Sequence, residues 1–232
     1  MPTHIAAVET AQVESARRRK TRDRLMDAAY EVFAETGVHA ASVEMITERA
    51  GFTRGAFYSN FDTKEGLFFA LAERENRIRL ERLQEGVDAI LPEIDRVPLT
   101  EATLGDVVTR FLELQSDDAR WCIVQSEFKL LAMRDSTVAA SFLAYQRSFL
   151  SQLADCIDDA VRSVGLRFTM GPIAAIGIIV NVYESAVQEA ILEGGNTGSM
   201  TAPPMARATL PALVQSLTEP LAASRQIRGL SG

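Results

Sequence analysis

The sequence predicts an all-α protein of about nine helices, and three observations carry that prediction. Apolar residues recur three and four positions apart from about residue 15 almost to the end of the 232-residue chain. No stretch shows the strict alternation of a half-buried strand, and no internal repeat stands out. The helical pattern breaks at Gly37, Gly51, 92–98, Asp117, Asp135, 165–171 and the run GGNTGSMTAPP, where turn-forming residues concentrate.

Residues 1–14 have little periodicity and read as a disordered tail. Leu25, Ala28, Ala29, Val32 and Phe33 then give a first helix one apolar face, and Gly37 ends it. Ser42 is placed as the N-cap of a second helix, with Glu44 in its first turn and Val43, Ile46 and Ala50 facing inward; Gly51 terminates it. Thr53 caps a third, very short helix anchored by Phe57 and Phe61, four apart. Asp62 or Thr63 opens the fourth, Asp62 with Glu65 having capping-box spacing, and Leu67, Leu71, Ile78, Leu83, Val87, Ile90 and Leu91 carry it toward Pro92. Five more helices are expected near 101–116, 118–133, 136–164, 172–193 and 205–223.

Charge is distributed unevenly. The net formal value is -7, yet residues 15–64 hold nine Lys or Arg against seven Asp or Glu, and residues 65–232 hold 15 against 22. An acidic body behind a mildly basic head is repelled by a polyanion everywhere except at the head. Cys122 and Cys156 lie outside any CxxC pattern, which suggests neither a zinc site nor a disulfide scaffold, and a reduced cytoplasmic protein is expected. The first residues lack a basic start followed by an apolar run. The longest apolar stretch, 170–180, is interrupted by Gly171, Pro172 and Gly177 and stops at Asn181, short of the ~20 residues a bilayer requires. No membrane partner, cofactor or metal is expected.

Two short helices joined by a glycine turn do little for a core, but they hold one helix in the major groove of DNA. In that reading Gly55 lets the third helix's backbone approach the duplex. Arg54 hydrogen-bonds a guanine edge or grips a phosphate, and Tyr58 offers a ring to thymine methyl or sugar and a hydroxyl to phosphate. Thr53, Ala56, Ser59 and Asn60 are within reach of the groove. For Arg54 the competing reading is a solvated surface charge, and for Tyr58 a core role, which Phe57 and Phe61 already supply. Arg17, Arg18, Arg19 and Lys20 read either as a minor-groove arm or as an ordinary solvated helix start.

The run TRGAFYSNFDTKEGL, with its turn glycine, aromatic pair and Lys-Glu after the short helix, resembles the TetR (tetracycline-repressor-like) family of one-component bacterial transcription regulators over about residues 22–71. The resemblance implies a three-helix DNA-binding head at 15–66 and a regulatory, ligand-binding and dimerising body at 67–226. It further implies that Lys64 clamps a phosphate at a helix N-terminus, that Ser42 and the Val43 N–H make another phosphate contact, and that Asn60 stands where many relatives carry histidine.

For the body, the resemblance implies a homodimer on a palindromic operator, paired through the last two helices. Ala174, Ala175, Gly177 and Ala186 allow close helix approach, and Leu210, Leu213, Leu217 and Leu221 form an apolar stripe. A small, largely apolar effector is expected to shift the body and release the DNA. Phe111, Trp121, Phe128, Met133, Phe142, Tyr145, Phe149 and Tyr183 are candidates to line its cavity, with Gln125, Gln146 and Asn181 as polar handles; plain core packing is the rival reading for each. The expected function is therefore a ligand-responsive repressor and not an enzyme. Alternatives are a redox-responsive regulator acting through Cys122 and Cys156, an architectural DNA binder, and an enzyme with an appended helix-turn-helix. The last lacks support, since His4 and His39 join no carboxylate cluster and no Gly-rich phosphate loop occurs.

Overall fold

The structure, a computed structural model, describes residues 3–94, 101–114, 117–194, 199–200 and 202–221. Among them are nine α-helices: α1 (Thr3–Thr36), α2 (Val43–Ala50), α3 (Arg54–Tyr58), α4 (Lys64–Ile94), α5 (Glu101–Leu114), α6 (Ala119–Arg134), α7 (Ser136–Ser163), α8 (Pro172–Leu192) and α9 (Pro204–Leu217). The all-α expectation holds. Of the expected 92–98 break, Pro92 lies inside α4, which runs on to Ile94, and 95–98 lie outside the described residues, as do 222–226 at the end of the expected body.

Three local readings change. First, α1 begins at Thr3, where a tail is expected; residues 5–14 hold Ala, Val, Glu and Gln with no glycine or proline, a composition that tolerates helix. Second, of the two expected openings of α4 the structure has Thr63, whose Oγ1 accepts from the Gly66 N–H at 2.9 Å, and the box expected from Asp62 and Glu65 is not what caps it. Third, α9 stops at Leu217, because Thr218–Pro220 pairs antiparallel with Leu166–Phe168, Phe168 opposite Thr218 and Leu166 opposite Pro220. Pro220 has no N–H to continue a helix and disfavours helical backbone at Glu219. A three-residue strand is too short to betray itself by alternation.

The chain divides into two compact units: Met1–Arg79 with Asp118–Arg147, and Leu80–Asp117 with Ser148–Gly232. The first therefore reaches well past residue 66, the expected end of the head. The reason is packing: Leu25, Val32, Phe33, Ile46, Phe57 and Phe61 share one core with Phe68 and Leu71 of α4, Trp121, Val124 and Phe128 of α6, and Phe142 of α7. Phe68 lies flat on Phe128, ring centroids 3.5 Å apart and 5° from parallel, with Trp121 at 6.0 Å from Phe68. Burying side chains of this size stabilises by roughly 1.5–3 kcal/mol each.

The second unit has two smaller cores. Leu112, Ala186, Ala202, Ala206 and Leu210 join α5, α8 and α9, while Ala154, Phe168, Ala175, Ile176 and Leu217 join α7, α8, α9 and the strand of Phe168. At 21 residues α8 is long and apolar enough to cross a bilayer, longer than the 170–180 stretch suggests, and most of its length is not buried.

Candidate nucleic-acid interface

The head is assembled by short-range capping. α1 ends at Gly37, whose N–H bonds Phe33 O at 2.9 Å with φ 83°. Ser42, in extended backbone, caps α2 by accepting from the Met45 N–H at 3.2 Å. Gly51 closes α2 in the left-handed region at φ 67°, bonding Glu48 O, while Phe52 N bonds Thr47 O at 2.8 Å. Thr53 then starts α3, its Oγ1 accepting from Ala56 N at 3.2 Å. Each cap was legible in the sequence because Ser, Thr and Gly are the residues these positions favour.

Phe57 is fully buried, and its ring meets Phe61 at 5.9 Å. That anchors one side of α3 and leaves Thr53, Arg54, Gly55, Tyr58 and Ser59 exposed on the other, Ala56 being half-buried. Tyr58 is 49% exposed, its ring edge-on to Phe57 at 5.3 Å. A Cβ built on Gly55 would meet only Thr53 Oγ1, at 3.7 Å. Internal packing therefore does not require a glycine here; an external surface lying against the helix would.

Arg54 Nη1 pairs with Glu44 Oε1 at 2.7 Å, and its guanidinium lies 5.9 Å from the Tyr58 ring centroid. A hydrogen bond with Tyr58 and then the Glu44 charge hold that guanidinium protonated beyond its ordinary range. Ser42 and Val43, half-buried, sit at the start of α2.

Two of the expected contact residues also bond within the head. Lys64 Nζ donates to Val38 O at 2.8 Å and Ala41 O at 2.9 Å, stitching α4 to the turn before α2. Asn60 is half-buried and folds back on its own helix, Nδ2 donating to Ala56 O at 2.8 Å. Lys64 thus ties the start of α4 to the turn before α2, while Asn60 Oδ1 is buried without a hydrogen-bond partner.

Several arginines not foreseen as structural do the same. Arg18 donates to Ser59 O at 3.3 Å, and Arg22 donates to Asn60 O while lying 4.2 Å over the Phe61 ring, so α1 pins the end of α3. Arg24 donates to Ala50 O at 2.8 Å. Arg18 and Arg22 fall on the same helical face as Leu25, Ala29 and Val32, and that register was the available signal. Arg17, Arg19 and Lys20 are exposed.

Residues 25–71 match the model of the family described as bacterial regulatory proteins, tetR family. These residues form a tetR-family head. Similar proteins include an uncharacterised helix-turn-helix-type transcriptional regulator, TtgW of Pseudomonas putida, 42% identical over 72 residues, 31% of this chain and 54% of that protein. The matched stretch thus spans about half of that relative's length. FasR of Mycolicibacterium smegmatis, a helix-turn-helix-type transcriptional activator, is 25% identical over 171 residues, 73% of this chain and 72% of FasR. In fold, the chain is similar to FadR of Bacillus subtilis, solved with stearoyl-CoA: TM-score 0.59 and 21% identity, covering 84% of this chain and 98% of that one. In the tetR-family head of this protein, then, α2 and α3 are the helix-turn-helix, with α3 as its second helix.

The expected effector residues divide between the two units. In the first, Trp121, Phe128 and Phe142 are buried in the shared core, Gln125 Nε2 donates to Tyr145 Oη at 2.9 Å, and Met133 is exposed. In the second, Tyr183 packs on the Leu112–Leu210 cluster, Phe111 and Phe149 are half-buried, and Asn181 donates to Gly177 O at 2.7 Å. Trp121 Nε1 and Asn76 Oδ1 are buried without a hydrogen-bond partner; Asn76 lies on α4, where one polar residue among charged helix positions carries no sequence pattern.

Of the expected pairing residues, Ala175, Leu210 and Leu217 are buried in the chain's own cores. Ala174 and Leu221 are exposed, Gly177 and Leu213 half-buried, and Leu221 lies past α9, its N–H bonding Gly165 O at 2.8 Å. Among the described residues no group of three or more His, Cys, Asp or Glu is arranged to hold a metal. Both cysteines are free thiols, and burial, then Asp159 and Asp88, push the Cys156 thiol up, away from the reactive thiolate.

Proposed function

We propose that the protein is a homodimeric repressor that binds a palindromic operator through α3 and is released by a small, largely apolar effector. The observation that carries this reading is the outer face of α3: a glycine that internal packing does not need, flanked by an exposed arginine and an exposed tyrosine, on a helix fixed from behind by buried Phe57 and Phe61. Arg54 and Tyr58 are the base-edge and sugar-phosphate contacts, Thr53 and Ser59 flank them, and Ser42 with the Val43 N–H takes a phosphate at the α2 N-terminus. Lys64 and Asn60 act by holding the turn and helix that present these groups. The head is the DNA-binding domain and the remainder the regulatory one, in a protein working in the cytoplasm.

Dimerisation is supported by the start of α8, where the apolar Ile173, Ala174 and Ile178 are exposed. Ala174, small and exposed, lets a second helix approach closely, whereas Gly177 faces Leu150 of α7. An effector site is supported by Asn76 and Trp121, whose buried polar atoms lack the partners such groups ordinarily have. An effector shifts the protein only by binding its two conformations unequally. The raised Cys156 thiol weighs against redox control.

Selection of bound duplexes from a random pool tests the reading. An enriched two-fold symmetric site, with half-sites about one helical turn or somewhat more apart, is the expected result. Binding without sequence preference would contradict it and favour an architectural role. Release from that site on adding acyl-CoA thioesters, stearoyl-CoA among them because FadR was solved with it, tests one effector class.

A further inference from the structure

We propose that Glu44, on α2, is a positioning residue that sets the base preference of Arg54. The inference rests on the reading of the head as a DNA-binding unit and goes beyond it. The Gly51–Thr53 turn brings the first turn of α2 against the first residue of α3, so that Glu44 Oε1 meets Arg54 Nη1 at 2.7 Å. Both side chains are more than half exposed, 55% and 60%, and they share a surface with Gly55 and Tyr58. An exposed pair of this kind adds little to folding, so stability does not account for it.

What the pair does is restrict an otherwise mobile side chain. Arg54 is bracketed by the Glu44 carboxylate and the Tyr58 ring, 5.9 Å from the guanidinium carbon. The Glu44 charge at Nη1 and the Tyr58 side chain together fix where the guanidinium lies, and the N–H donors turned away from them match guanine O6 and N7. An unrestricted arginine at the same position would swing to the nearest phosphate, which carries no sequence information.

The carboxylate also acts through charge. It cancels the attraction of Arg54 for the phosphate backbone, lowering affinity for every sequence alike and raising the ratio of specific to non-specific binding. When DNA covers this face and excludes water, the attraction between the two charges strengthens, so the orientation is enforced most where it matters.

The test is fluorescence anisotropy of the full chain on its selected operator, on each single base-pair variant, and on a random duplex, for wild type, Glu44→Ala, Glu44→Gln, Arg54→Ala and the double Ala variant. Glu44→Ala is expected to tighten random-duplex binding about 3–10-fold and steepen the salt dependence by about one charge. Discrimination at the one base pair read by Arg54 should fall about tenfold or more. In the Arg54→Ala background, Glu44→Ala should change discrimination no further. Unchanged discrimination in Glu44→Ala overturns the proposal. So does an equal loss with and without Arg54, which would mean that the carboxylate reads a base itself, as an acceptor for cytosine N4. Absence of any preferred sequence for the wild type would sink the functional reading instead, a result distinct from either.

Discussion

The Glu127 carboxylate on α6 accepts a hydrogen bond from the Val38 N–H at 2.6 Å. Val38 is almost completely buried, and its own carbonyl takes a bond from Lys64 Nζ at 2.8 Å. The turn between α1 and α2 is thus gripped at one residue from α6 and from α4. Ser42, the cap that orients α2, follows four residues later, so the position of α2 depends on two helices outside the three-helix head.

Removing the α6 grip has a calculable cost. Glu127→Ala leaves the buried Val38 N–H without its acceptor and should destabilise by about 1–3 kcal/mol; Glu127→Gln, which keeps an acceptor oxygen, should lose less. Gly37→Ala forces a side chain into φ 83° and sets its Cβ 3.0 Å from Glu127 Oε2, adding about 1–2 kcal/mol of backbone strain. Urea unfolding midpoints at constant slope measure all three.

Lys64 and Tyr58 should separate cleanly. Lys64→Ala removes two charge-assisted bonds to Val38 and Ala41 and should cost about 1.5–3 kcal/mol of stability along with operator affinity. Tyr58→Ala, at an exposed site, should leave stability within about 0.5 kcal/mol while weakening operator binding. Equal stability losses would show that the Tyr58 ring is structural.

Acid should loosen the joint between α1 and α2. Arg49 pairs with Glu31 at 2.9 Å and Glu35 at 2.6 Å, and its hydrogen bond, more than its charge, holds the Glu35 carboxyl below the ordinary carboxylate range, against a smaller opposing effect of burial. A depressed folded value means that the contribution is complete above the unfolded value, about pH 4–4.5, and disappears as pH falls through the folded one. Arg49→Gln should therefore be less stable than wild type at neutral pH, with the difference shrinking in that acid window. A thermal-melt series from pH 7 to pH 3 checks the sign.

On α8, neighbouring alanines should behave oppositely. Ala174 is exposed and Ala175 fully buried, so Ala174→Asp with Ile178→Asp should give folded monomer by sedimentation velocity, whereas Ala175→Asp should unfold the chain. A dimer unaffected by the first pair would place the interface elsewhere.

These contrasts show what the sequence makes legible. Ser42, Gly51, Thr53, Phe57 and Phe61 announce their roles because caps, turns and four-residue aromatic spacing are local physics. The bonds of Lys64 and Asn60 within the head are not legible, because the partners they find in the fold, Val38, Ala41 and Ala56, offer backbone carbonyls that leave no mark on composition. Ala175, Leu210 and Leu217 read as an interface stripe because periodicity identifies an apolar face without saying which element covers it. The head's extension onto α6 was invisible for the same reason: Phe128 stacks on Phe68, sixty positions earlier in the chain.

The most direct measurement is on Gly55. The space outside it is open within the protein, so Gly55→Leu should fold with an unfolding midpoint equal to or above that of wild type, helped by better helix propensity. On the selected operator the same variant should bind at least about a hundredfold more weakly, because the new side chain occupies the groove surface; that corresponds to about 2.7 kcal/mol. Wild-type affinity in a folded Gly55→Leu protein would contradict the account, since α3 would then not lie against DNA.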